Sequence, residues 1–144
     1  MAAKPETTFI RNVHKHLDAL GTYHEKMNNP FLGGTADVWY SGRKGDLWVE
    51  YKYIPKTPRS DTILPNLSER QKKWLGDRHN EGRNVVVVLG VGTKAKIYRY
   101  GKWLEPQSDT EINEYLITRE ELAGWIYNQT GSSPSCASTL LPPS

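Results

Sequence analysis

"GTADVWYSGRKGDLWVEYKY", residues 34–53, sets an acid at the head of one apolar run and an acid and a base inside the next. "ADVWY" and "DLWVEYKYI" are rich in β-branched and aromatic residues, and "SGRKG" between them is a turn with two glycines, so the stretch predicts a β-hairpin. Side chains two apart on a strand share a face. Asp46, Trp48, Glu50 and Lys52 therefore line one face, and Leu47, Val49, Tyr51 and Tyr53 the other. The second face reads as core. The first carries two acids, a base and a tryptophan on a strand too apolar for an edge. Closing the hairpin returns Asp37 towards the later part of the second strand, so Asp37 and Glu50 converge with Lys52 beside them.

Two readings of that constellation stay open on the residues alone. Carboxylates brought together repel unless one takes a proton or a cation sits between them. Hard divalent cations use such oxygen donors, several waters and often a substrate phosphate. A cation there polarises a phosphoryl oxygen and activates bound water, and a nearby ammonium can orient that water or offset developing charge. Phosphodiester hydrolysis would suit these parts. The plainer reading is a cross-strand ion pair on a wet face, with Asp37 capping the "GGTA" loop.

On the N-terminal side, residues 5–20 predict an amphipathic helix in which Ile10, Val13, Leu17 and Leu20 recur at helical spacing and Gly21 marks the stop. Glu6 falls in its first turn, where a carboxylate favours the helix dipole. "TYHEKM" reads as a short strand and "NNPFLGG" as a loop. "PKTPRSDTILPN" is a loop with three prolines, and a second helix follows from Ser68 or Asn66 to about Asn80. Ser68 with Gln71 fits a capping box, and Leu67, Trp74 and Leu75 supply the helix's apolar stripe. "NVVVVLGV" reads as a strand covered on both faces, and "AKIYRYG" as an alternating strand after a "GTK" turn. A last short helix starts at Thr118 with "TREE" as its capping box, anchored by Leu122, Trp125 and Ile126. The order predicts a small α/β sandwich around a mostly antiparallel sheet.

Composition bounds the rest. A chain of 144 residues with net charge +3 is one ordinary globular domain, set at residues 1–127, with a Ser- and Pro-rich tail at 128–144 that reads as disordered. No stretch is apolar for the length of a bilayer, and "MAAKPETTFI" has no signal-peptide core, so a cytoplasmic protein is the expectation. The single cysteine, Cys136, excludes a disulfide framework and a cysteine-rich zinc site. Arg43, Lys44, Lys56, Arg59, Arg70, Lys72, Lys73, Arg78 and Arg83 cluster around the central segment, interleaved with Trp39, Trp48 and Trp74. That pattern suits either a phosphate backbone or a solvated polar face.

The ordered set of motifs resembles the PD-(D/E)XK nuclease superfamily, and within it the branch of VRR-NUC and Holliday-junction-resolvase-like enzymes. "TAD" stands where that family has Pro-Asp, with Ala36 in place of the proline. "VEYK" stands for its E-x-K, and "LSERQKKWL" for the helix with a glutamine and an aromatic. "EGRNVVVVLG" follows as the next strand, and the likeness covers residues 5–100. It implies a restriction-endonuclease-like α/β fold, a central mixed, mostly antiparallel sheet flanked by helices. It also implies that Asp37, Glu50 and the backbone carbonyl of Tyr51 bind Mg²⁺, with Mn²⁺ as a substitute. Lys52 would act on the attacking water, Gln71 would help hold the site, and Glu6 would assist the metal shell. The implied activity is a metal-dependent endodeoxyribonuclease selective for branched DNA such as Holliday junctions, working as a homodimer in a bacterial or phage-infected cell. Nicking or exonuclease activity, and a silent nucleic-acid-binding domain, are the alternatives.

Other chemistry is not supported by spacing. His14, His16, His24 and His79 show no ligand pattern and read as surface or interface residues. Gly90 and Gly92 form a lone G-x-G between strands with no helix after it, which argues against a nucleotide loop. The tryptophans read as core, with Trp48 and Trp74 closest to any bound DNA.

Overall fold

In the computed structural model of the chain, residues 4–27 and 33–131 are described. Pro5–Leu20 form helix α1, with Pro5 in the first turn, where its missing N–H costs nothing. Gly21 closes the helix in the left-handed conformation, its N–H returning to Asp18 and Leu17 carbonyls. The buried stripe is Phe9, Val13 and Leu17. Leu20, expected on that stripe, is 38% exposed, because the helix ends as it clears the sheet. Ile10 only packs against the core's margin.

A six-stranded sheet follows in simple spatial order, β1 to β6. Its strands are β1 (Tyr23–Lys26), β2 (Val38–Gly42), β3 (Gly45–Ile54), β4 (Val85–Val91), β5 (Lys94–Tyr98) and β6 (Ile117–Thr118). All pairs are antiparallel except β3 with β4, which are parallel and joined through helix α2 (Glu69–Asn80). A parallel pair cannot be closed by a tight turn and needs such a crossover. Every residue of β4 is buried, as its unbroken apolar run requires of a central strand. The sheet is mixed and mostly antiparallel, as the sequence predicts.

Alternation along β3 sorts its side chains between two cores. Leu47, Val49 and Tyr51 join Val38, Tyr40, Val86 and Val88 under α1 and the last helix, α4 (Arg119–Thr130). The opposite face carries Val85, Val87, Leu89 and Tyr98 with Leu75 from α2, Leu67 just before it, and Trp103. Gly90 lies where α1 crosses the sheet: a Cβ there would come within 3.0 Å of both the Phe9 and Tyr53 rings. Close helix packing, not phosphate binding, accounts for this glycine.

Two elements depart from the sequence reading. Helix α3 (Asp109–Glu114) has a complete capping box between Ser108 and Glu111, and its "SDTE" signal stands in the sequence as plainly as "TREE". Helix α4 continues through Asn128 to Thr130, past the expected boundary at residue 127. The hairpin turn holds it: Lys44 donates its backbone N–H to the Thr130 carbonyl at 2.8 Å and its Nζ to the Asn128 carbonyl at 3.3 Å. The folded unit thus extends to Gly131, the left-handed cap. The remainder of the tail, and residues 28–32 of the "NNPFLGG" loop, lie outside the described residues.

Candidate active site

The hairpin register sets the geometry. Val38 pairs with Val49, so Asp37, one residue before the start of β2, stands opposite Glu50. Where β2 stops, β3 continues to Ile54 and its edge is left open. The Tyr51 N–H there finds no β2 carbonyl and donates instead to Asp37 Oδ2 at 2.8 Å. N–H and C=O of one strand residue leave on the same side, so the Tyr51 carbonyl also faces this gap. The Asp37 carbonyl accepts from the Met27 N–H at 2.7 Å, which anchors the acid's own backbone to the end of β1.

Gly34 brings the preceding loop against α2. It has φ +96°, and a Cβ there would lie 2.5 Å from the Arg70 carbonyl oxygen, so only glycine permits the approach. The contact sets Asp37 beside the start of α2, where Gln71 serves two purposes. Gln71 Oε1 accepts the Ser68 N–H at 2.9 Å, completing the capping box, while its Nε2 donates to Glu50 Oε2 at 3.0 Å. Because the cap occupies the carbonyl end, the amide can present only its donor to Glu50. Lys52 Nζ stands 3.6 Å from the same Glu50 oxygen as an ion pair.

Glu50 is 2% exposed, and no N–H or hydroxyl donor reaches its Oε1 among the described residues, though the Asp37 carboxyl is close enough to share a hydrogen bond with the Glu50 carboxyl. Burial first, and the charge of Asp37 second, push its carboxyl up to about 8, against the lowering effect of Lys52. Asp37 is raised as well, chiefly by burial, with the Tyr51 N–H and Lys52 opposing. A buried acid beside a second acid costs stability unless a proton or a cation lies between them. The oxygen geometry fits a hard divalent cation: two carboxylates at the mouth of a gap that a backbone carbonyl also faces. Among the described residues, no group of three or more His, Cys, Asp or Glu side chains is arranged to hold a metal ion, so such a cation would need the carbonyl and water besides the acid pair.

Glu6 projects from the first turn of α1 towards the same place. Burial and then Asp37 raise its carboxyl, while Lys52 and Lys26 lower it. It lies on the ridge between two hollows, one reaching Asp37 and Lys26, the other Lys52 and Leu64. It faces the site without joining the acid pair as a third ligand. Thus Asp37, Glu50, Tyr51, Lys52 and Gln71 are brought together, with Glu6 at the rim.

The remaining candidates fall elsewhere. His14 and His24 stack at 3.9 Å between ring centres, and His14 Nε2 is 2.8 Å from Tyr40 Oη, which is 2.7 Å from Tyr51 Oη. Trp39, Trp48 and Trp74 contact one another in series on the Glu50 face. The basic cluster of α2 is largely self-neutralised, with Lys72 on Glu69, Lys73 on Asp77 and Arg78 on Glu81. Sequence reasoning gave no sign of the His14–Tyr40–Tyr51 chain, since its members are far apart and each looks ordinary alone.

No protein-family profile matches the chain, and no curated protein matches it in sequence. Solved structures do. A VRR_NUC domain is similar at 21% identity and TM-score 0.47 over 62% of this chain and 88% of its own. The Holliday junction resolvase Hjc of Archaeoglobus fulgidus is similar at 16% identity and TM-score 0.54 over 84% of this chain and 97% of its own. The chain therefore has the α/β fold of that resolvase, the restriction-endonuclease-like architecture its sequence motifs implied.

Proposed function

We propose that this protein is a divalent-metal-dependent endodeoxyribonuclease that hydrolyses phosphodiester bonds, with a preference for branched DNA. The observation that carries the reading is Glu50: a buried acid held on one oxygen by Gln71, with a second acid, Asp37, close enough to share a proton or a cation with it. Structural ion pairs seldom set a buried carboxylate beside a second one. Asp37, Glu50 and the Tyr51 carbonyl would hold Mg²⁺ or Mn²⁺. Bound there, the cation would polarise the phosphoryl oxygen and make water more acidic.

The chain's own groups supply the remainder. Tyr51 N–H fixes Asp37, and Gln71 fixes Glu50, so neither carboxylate must reorganise when substrate arrives. Lys52 is held close by Glu50, with donors free to orient the attacking water or meet charge developing on the phosphate. Glu6 would hydrogen-bond water at the rim. Branched DNA is favoured because acids set at an open strand edge of a compact α/β unit are better suited to shape and backbone than to base sequence. The fold neighbour is described as a Holliday junction resolvase, a likeness of fold that agrees with the proposal without carrying it. Paired cuts across a junction would require a homodimer.

The test is cleavage of labelled four-way junctions, flaps, nicked duplexes, plain duplexes and single strands in Mg²⁺, Mn²⁺ and EDTA. Wild type should cut only with metal, junctions fastest, and Lys52→Ala should not cut. Binding without cutting on every substrate would instead identify a silent nucleic-acid-binding domain. Neither binding nor cutting would return the acid pair to a structural role.

A further inference from the structure

We infer that the hollow between α1 and β1 is a nucleic-acid backbone site, in which Arg11, Lys15 and Lys26 take phosphates flanking the bond to be cut. The inference rests on the nuclease reading above and names how the substrate strand leaves the acid pair. The hollow measures about 550 Å³ and includes Asp37 in its wall, so it opens directly beside the site. Arg11 and Lys15 stand one turn apart on the exposed side of α1, and Lys26 faces them from the end of β1.

What marks these three cations is that they are unpaired and gathered in one hollow whose wall includes Asp37, in contrast to the paired cations of α2. Lys72, Lys73, Arg78 and Lys102 are each paired with an acid three or four residues away. Lys44 is engaged with the end of α4. Arg11, Lys15 and Lys26 are exposed and make no ion pair or side-chain hydrogen bond among the described residues. Three carboxylates share the wall: Asp18, hydrogen-bonded to His24 at 2.7 Å, Asp37, which accepts the Tyr51 N–H, and Glu6. Glu6 and Asp37 both feel the charge of Lys26, while Arg11 and Lys15 make no ion pair among the described residues. Unpaired cations along a groove give up counterions to a phosphate backbone without first breaking internal pairs. The stacked His14 and His24 rings add a firm floor.

Binding of a fluorescent four-way junction, measured from 50 to 200 mM salt in a Lys52→Ala parent so that substrate stays intact, tests the inference. Arg11→Ala with Lys15→Ala should weaken binding at least about tenfold and lower the log–log salt slope by roughly 2, near 0.9 for each phosphate no longer neutralised. The charge-preserving pair Arg11→Lys with Lys15→Arg should keep the parent slope, which separates removal of charge from damage to the helix. Lys72→Ala with Lys73→Ala should change the slope by well under about 1. An unchanged slope in the Arg11/Lys15 alanine pair, or an equal loss in the Lys72/Lys73 pair, overturns the inference while leaving the nuclease reading intact. A parent that binds no DNA overturns both.

Discussion

The two faces of β3 obey opposite rules within one strand. Under α1 and α4, Leu47, Val49 and Tyr51 are buried among apolar neighbours, and even the hydroxyls of Tyr40 and Tyr51 are hydrogen-bonded to each other. Under α2, Leu89 is buried and Trp48 half-buried in the same way, yet Glu50 is enclosed with a second acid beside it. Trp39 Nε1 and Tyr98 Oη, also on this side, are without partners among the described residues. One face is finished by folding. The other is left with an unfilled requirement, and that requirement sits where β2 ends early. A strand can thus be core on one side and chemistry on the other, provided its pairing partner stops short.

This contrast fails outright if the acid pair is dispensable. Asp37→Asn and Glu50→Gln should each lower cleavage about a thousandfold while circular dichroism shows an unchanged fold. Retained cleavage in either variant would reduce the α2 face to structure. The opposite behaviour belongs to the α1 face: Leu47→Ala, fully buried, should cost about 2–5 kcal/mol in urea unfolding and leave cleavage per folded molecule unchanged.

Next in size is the pH dependence of stability without metal. A glutamate titrates at 4.5 when exposed and is pushed up to about 8 at Glu50. Below 4.5 the acid is protonated in both states and contributes nothing. Between 4.5 and about 8 the unfolded chain releases a proton that the fold retains, so stability falls as pH rises. The limiting slope is about 1.4 kcal/mol per pH unit. Urea unfolding in EDTA should show this decline in wild type and lose it in Glu50→Gln. Added Mg²⁺ should stabilise the protein more at pH 8 than at pH 6, because a cation needs the ionised acid. The smallest effect concerns Gln71, which braces the acid without being one. Gln71→Ala should lower cleavage roughly tenfold and stability by about 1 kcal/mol, since Ser68 loses a cap partner and Glu50 its donor.

Much of this was legible in the sequence because local patterns carried it. The "VEYK" alternation, the "SGRKG" turn and the "LSERQ" capping box fixed the hairpin, both faces of β3 and the start of α2. The parallel β3–β4 pair follows from the intervening helix. What escaped depended on contacts between distant segments. Nothing near Asn128 signals that Lys44, far back in the hairpin turn, will cap the last carbonyls of α4. Leu20 has the right residue type for the buried stripe and the wrong position on a helix about to leave the sheet. Counting cations placed the basic cluster around the central segment, whereas the fold pairs Lys72, Lys73 and Arg78 within or at the end of α2 and gathers the unpaired Arg11, Lys15 and Lys26 in the hollow beside Asp37. For Glu6, the sequence offers a helix-dipole role as readily as a site role, and the fold sets it on the wall shared with Asp37 and on the wall shared with Lys52.

Whether the acid pair holds a cation is decided by calorimetric titration of Mn²⁺ at pH 8 into wild type, Asp37→Asn and Glu50→Gln. One site per chain is expected in wild type and none in either variant, with urea unfolding confirming that each remains folded. Equal Mn²⁺ affinity in all three proteins would contradict the metal-site reading, and Glu50 would then be a buried acid with no cation to meet.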